Sequence, residues 1–302
     1  MSAELFFDSV LILLLLGLAG TALHVRRLYT SIVLFIVFGL LLALTWARLG
    51  AVDLALAEAA IGAGLIGVML LAALGRSGPE PALRPGWFIV TASLLAGALV
   101  AALLAGAVWH LPGQTSTLPA LVNEHLDDSG VSHPVTAVLL NFRAWDTLLE
   151  LIVLLLAFLG VRQLGHAEQA LPAAWPLLRA WSRLLAPLTI MVGGYLLWRG
   201  SAAPGGAFQA GAVLAAGAVM LNLAGLLPSL GWSQRAVRTL ILAGILVFTA
   251  VAGLTHWFGP GWLNYPGPWS KSLIVLIEIA ASLSIATTLT LLVIGERERP
   301  VP

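Results

Sequence analysis

Nine runs of mostly apolar residues, near 5–23, 29–47, 52–74, 86–109, 141–161, 186–200, 207–227, 236–255 and 272–294, leave this chain little choice of fold. A helix of about 20 apolar residues crosses a bilayer core. In lipid every backbone N–H and C=O must be satisfied internally, which only helices and closed barrels achieve. The runs are continuous, not alternating, so the expected class is all-α: a polytopic helical membrane protein with about nine transmembrane helices. The sixth run is short and leans on Trp181–Leu185 for its length. Composition agrees, at 60% hydrophobic and 10% charged, against about 25% charged in soluble domains.

Charge placement predicts the orientation. Setting the first interhelical loop in the cytoplasm puts Arg26, Arg27, Arg76, Arg84, Arg162, Arg179, Arg183, Arg235, Arg238, Arg297 and Arg299 on that side. Only Arg48, Arg199 and Lys271 fall outside, so positive-inside bias favours N-out, C-in. The N-terminus lacks the basic region of a cleaved signal peptide and reads as a retained first span. The sequence has no cysteine, which excludes disulfides, thiolate-held clusters and cysteine zinc sites. No basic patch with interleaved aromatics is present, so no nucleic-acid partner is expected. No metal site, cofactor or catalytic residue is expected either, and any redox chemistry would belong to partner subunits.

The connecting segments divide the chain. Residues 110–134 hold Glu124, His125, Asp127, Asp128 and His133 without a metal-ligand spacing, and read as a solvated acidic loop. Residues 166–185, interrupted by Pro172 and Pro176 and mixing Trp175 and Trp181 with Arg179 and Arg183, suit an interfacial linker. It separates a five-helix module, 1–165, from a four-helix module, 186–302.

Ionisable residues inside spans are the candidates for function, because even lenient scales charge ~2.5–3.5 kcal/mol for one at mid-bilayer. Arg143, Asp146 and Glu150 recur at helical spacing at the start of the fifth run. Arg143 with Asp146 reads equally as a staple at the headgroups; Glu150 lies deeper and reads as a functional carboxylate. Glu58 lies more than a turn inside the third run, beyond Asp53, among small residues that include Gly62 and Gly64. Small residues allow close helix approach and leave room for water beside a carboxylate. Glu278 is a further carboxylate at depth in the last run. The stretch Arg199–Gly211 contains Pro204, Gly205 and Gly206, then Gln209 one turn into the next span. It lacks the lysine and strand of a phosphate loop. It reads as a tight turn that opens the seventh span, with Ala207, Gly211 and Ala215 as a small-residue packing stripe.

Three of these segments resemble a known family. DLALAEAAIGAGL resembles the PDVALTEAAVGAGL-type motif in the C-terminal region of the large first subunit of Mrp-type multisubunit cation/proton antiporters. VLLNFRAWDTLLELIVLLLAFLGV resembles the VDFRGxDTLGEITVL segment of that subunit, and LWRGSAAPGGAFQAGAVLAA the RGHxxPGGGFxGG motif of the second. Related subunits occur in membrane-bound hydrogenases and in respiratory complex I. The chain departs from the pattern at Asn141 for Asp, Ala144 and Leu149 for Gly, Ser201 for His, and Ala207 and Ala210 for Gly. Glu58, Arg143, Asp146 and Glu150 are kept.

The resemblance implies a subunit of a larger ion-translocating complex in the cell's inner (plasma) membrane, with other membrane subunits, large antiporter-like ones included, as partners. It implies a transport subunit with no catalysis of its own, with an ion or proton path in which Glu58 and Glu150 relay protons or bind a monovalent cation and Arg143 pairs with Asp146 to bias their protonation; Glu278 is placed on the same path as a further carboxylate at depth. A redox-driven complex of the hydrogenase or complex I kind and a purely structural adaptor are the rival expectations.

Overall fold

The computed structural model describes residues 3–76, 86–110, 117–164, 175–228, 230–259 and 261–295. All regular structure among them is helical. Helix α1 (Ala3–His24) turns into α2 (Leu28–Arg48). The third span runs through α3 (Val52–Ala57), a π-helical stretch Glu58–Leu65, and α4 (Ile66–Arg76). Then come α5 (Trp87–Trp109), the short α6 (Leu118–Glu124) and α7 (Pro134–Ala137), and α8 (Ala144–Gln163). Helices α9 (Pro176–Arg199), α10 (Ala207–Leu223), α11 (Arg235–Phe258) and α12 (Ser270–Ile294) complete the order. Among the described residues eight helical segments are long and apolar enough to cross a membrane, and α10, a shorter apolar helix, corresponds to the expected seventh span.

Two expectations need correction. Residues 176–185 are not a separate interfacial segment, because one helix runs unbroken from Pro176 to Arg199. Proline 176 opens that helix at its first turn, where its missing N–H costs nothing; residues 165–174 lie outside the described residues. Arg143 does not share a helix with Asp146 and Glu150. It sits with φ −129° and ψ 36° between a π-helical turn, Val138–Phe142, and the start of α8.

The core explains why the fold is one body. Ala137, Leu140, Ala144, Leu148 and Leu151 pack with Ala212, Ala215, Phe248, Val251, Ile274, Ile277 and Ile285. Helix α8 thus joins the last three helices, and small residues set the approach. A Cβ on Gly211 would stand 2.7 Å from Ile285 Cγ2, one on Gly244 3.0 Å from Ser284 Cβ, and one on Gly39 3.0 Å from Ala63 Cβ. Helix α5 is different: it has no buried residue.

Chain ends and loops sort onto two faces. Arg48 at the end of α2 donates to Asp8 near the start of α1 at 2.9 Å. His133 meets Asp53 at the start of the third span, and Tyr265 reaches Leu140. Opposite, Arg179 donates to the Ala224 carbonyl beyond α10, and Arg162 lies 5.1 Å over the Trp232 ring.

Two outcomes follow from this packing. A reporter after Pro302 should read cytoplasmic and one at the N-terminus the opposite side; reporters on one side would sink the nine-span alternation. Gly211→Leu should insert normally yet loosen α10 from α12, at the upper end of the ~1–3 kcal/mol typical of overpacking. Thermal unfolding of the purified protein checks this, and an unshifted transition would refute the contact's importance.

Candidate functional site

The third span is built around Glu58. Its carboxylate folds along its own helix over Gly62, where any Cβ would collide with it, so Gly62 is the residue that admits the side chain. A Cβ on Gly64 would stand 3.1 Å from the Ala59 carbonyl. Glu58 opens the π-helical stretch, the widened geometry often found at functional positions. It is half-buried.

The fifth span is broken, and its freed backbone groups are satisfied one by one. Arg143 N donates to the Val138 carbonyl at 2.7 Å. Thr147 Oγ1 donates to Leu139 O at 2.6 Å and Tyr265 Oη to Leu140 O at 2.8 Å. Asn141 Nδ2 donates to Ser129 O at 3.0 Å. Such re-satisfaction is what lets irregular backbone exist near lipid. Burial pushes the Tyr265 phenol above its usual range, so it stays a donor.

Arg143 pairs with Asp146 at 2.5 Å, their side chains 71% and 45% exposed. Glu150, on α8, is exposed and lines a groove of about 540 Å³. Ile61 from the third span, Phe208 from α10, and Ile285 and Leu289 from α12 close its other walls, and Asp146 also reaches it. Glu58 is not in the lining, although Ile61, almost one turn further on, is. The groove is apolar apart from the two carboxylates, and open to one side.

Glu278 is 2% exposed, and its Oε2 has no hydrogen-bond partner among the described residues. Its Oε1 faces the turn before α10, 3.0 and 3.1 Å from where Cβ atoms on Gly200 and Gly206 would be. Gly206 has φ +107° and Gly205 +153°, and a Cβ on Gly205 would stand 2.5 Å from the Leu196 carbonyl. Only glycine fits this turn. Pro204 precedes it, half-buried.

The turn is held by Gln209, which the sequence singled out, and by Asp53 and His133, which it did not single out as a site. Asp53 Oδ1 accepts from Gly205 N at 3.1 Å while its Oδ2 lies 2.9 Å from His133 Nε2. Gln209 Nε2 donates to the Asp53 carbonyl at 3.4 Å. Ser132 N and His133 N donate to Ser201 O, and Thr136 Oγ1 to Gly200 O. His133 was expected in a solvated loop; it is 12% exposed and paired. Glu124, His125, Asp127 and Asp128 are exposed as expected. No local spacing could reveal a pair 80 residues apart.

The halves that meet at this turn match two different families. Residues 13–79 match the MbhD family of MBH, and residues 177–296 match a domain related to the MnhB subunit of the Na+/H+ antiporter. The chain joins a segment similar to MbhD to a segment similar to the MnhB-related domain. No curated protein sequence matches it. A chain in the structure of the Mrp complex from Dietzia sp. DQ12-45-1b shares its fold, with TM-score 0.78 and 23% identity, over 96% of this chain and 35% of that one. This chain therefore spans about a third of that relative's length. A chain of the membrane-bound sulfane sulfur reductase, an archaeal respiratory membrane complex, matches 68% of this chain and 97% of its own, with TM-score 0.56 and 22% identity. The MbhD match runs from the middle of α1 through α4 and includes Glu58; the MnhB-related match covers α9 to α12, the glycine turn and Glu278. The broken span with Arg143, Asp146 and Glu150 lies between the two matches.

The phenol of Tyr265 offers a direct check on the broken span. Tyr265→Phe leaves the Leu140 carbonyl buried without its donor and should cost about 1–3 kcal/mol. Thermal unfolding measures it; a loss no larger than that of an exposed Tyr195→Phe control would show that the bond does not support the break.

Proposed function

We propose that this chain is a membrane subunit of a multisubunit ion-translocating complex in the plasma membrane, of the Mrp-type sodium/proton antiporter kind. It contributes an intramembrane carboxylate path for protons or monovalent cations. The observation that carries this reading is the groove in which Glu150 stands, walled by the third span on one side and by α10 and α12 on the other. A carboxylate facing apolar walls demands a function or a partner, since lipid offers it neither water nor a counter-charge. Arg143 is engaged with Asp146. That leaves Glu150 to exchange a proton or hold a cation.

The carboxylates lie at similar levels. Glu58, Glu150 and Glu278 are respectively six, six and eight residues past Val52, Ala144 and Ser270, which is about 9 to 12 Å along each helix at 1.5 Å per residue. The three helices start on the same face. Residues 1–165 and the helices from α9 onward then serve as two modules of one path, with α8 as the element that ties them together. The open side of the groove and the unpacked α5 are surfaces for lipid and for neighbouring membrane subunits, including large antiporter-like ones. As a transport subunit, the chain performs no catalysis of its own.

A second reading, favoured by the fold shared with the sulfane sulfur reductase chain, places the same path in a redox-driven complex. Copurification of iron–sulfur subunits with the intact complex would select it.

Glu58→Gln and Glu150→Gln keep shape and hydrogen bonding but cannot release a proton. Each should lower ion transport at least roughly tenfold, as expected for loss of a positioned proton-transfer group, with the complex recovered at normal yield. Full transport by a normally assembled Glu58→Gln complex would falsify the relay and leave a structural adaptor.

A further inference from the structure

We propose that Glu278, Gln209 and the Gly200–Gly206 turn form a proton-binding chamber that opens, through Asp53 and His133, to the face bearing the N-terminus. The proposal rests on the path reading for Glu278's membership of a path, and adds a ligand, a chamber and a mouth.

The chamber is built from four observations. Glu278 is sealed from solvent, and its Oε2 lacks a partner among the described residues. It is aimed at the N-terminal end of α10, a 17-residue helix, where unpaired backbone N–H groups concentrate. Both Glu278 Oε1 and Gln209 Oε1 lie near the point that a Cβ on Gly206 would fill, at 3.1 and 3.9 Å. Glycine there thus leaves a gap between two oxygens, a position suited to a bridging water. The other end of the same Gln209 amide donates to the Asp53 backbone.

Asp53 and His133 stand on the far side of the turn, with side chains 15% and 12% exposed, so bulk water reaches them while Glu278 is closed off. They pair with each other, and Asp53 grips Gly205 N. A proton taken from bulk by this pair passes across the glycine turn to Glu278, which becomes the neutral acid, its O–H directed at the Gln209 oxygen. Return of the proton leaves the carboxylate facing the α10 N-terminus.

The surroundings favour a proton over a metal ion. The chamber presents one carboxylate and one amide oxygen, and the nearby Gly200 carbonyl already accepts from Thr136. A bare cation needs a fuller oxygen shell. Among the described residues no charged group pairs with Glu278 Oε2. Arg199 and Lys271 are exposed at the ends of α9 and α12, His256 on α11 stacks on Trp262 at 4.4 Å, Asp146 and Glu150 face the groove, and α10 carries no ionisable residue.

The test uses the intact complex in sealed vesicles of one orientation, treated with dicyclohexylcarbodiimide, which reacts with protonated carboxyl groups. Labelling of the Glu278 peptide is read by mass spectrometry, independently of transport, so failure of the path reading and failure of this one are distinguishable. Labelling should rise as the pH on the N-terminal face is lowered, ignore the pH on the other face, and vanish in Glu278→Gln. His133→Gln, which keeps an N–H for Asp53, should slow the response to a pH jump by about tenfold. Labelling that follows the opposite face, or stays constant with pH, overturns the chamber. An unchanged response in His133→Gln overturns the mouth. Protection by sodium ions at fixed pH would assign the chamber to a metal cation and overturn the proton.

Discussion

The grip of Asp53 on the glycine turn is the interaction on which the arrangement depends. One carboxylate accepts from Gly205 N and pairs with His133, and the same residue's carbonyl accepts from Gln209. Three separate stretches of chain therefore meet at a single side chain: the start of the third span, the approach to α7, and the turn between α9 and α10. A carboxylate that accepts from backbone N–H and pairs with a histidine makes charge-assisted bonds, stronger than neutral ones. Partial burial adds to their strength, since the local dielectric is lower than water's. Releasing Asp53 would free the turn and, with it, the wall in front of Glu278.

Below that junction the structure accepts irregular backbone where most membrane helices are regular. The π-helical stretch at Glu58 and the break at Arg143 both occur beside ionisable side chains. The break survives because Thr147, Tyr265 and Arg143 N satisfy the carbonyls it exposes. Helix α8 then restarts with its side chains turned toward α11 and α12, and Glu150 reaches the groove. Local disorder of hydrogen bonding is thus converted into placement of a carboxylate.

Packing and openness are divided unevenly. Helix α12 is the most buried candidate span and α5 the least. In water, such an exposed apolar helix would be a liability; in a bilayer, lipid or a neighbouring subunit covers it at no hydrophobic cost. The open groove at Glu150 obeys the same logic.

Much of this was legible in the sequence. Length and continuity of the apolar runs dictate membrane helices, because lipid forbids unsatisfied backbone. Glu58, Glu150 and Glu278 stand out by cost alone, and the Pro204–Gly206 run announces a turn. The partners of those residues were not legible. Asp53 and His133 are 80 positions apart, and nothing in the local pattern of either predicts their pairing. Pro176 looked like an interruption, yet it begins a helix. Arg143 looked helical by spacing, yet the bonds from Thr147 and Tyr265 support a break there. Hydropathy reports what each residue costs to place in lipid, a property of one side chain. Which neighbour meets that cost depends on how the helices pack, and only the tertiary structure decides it.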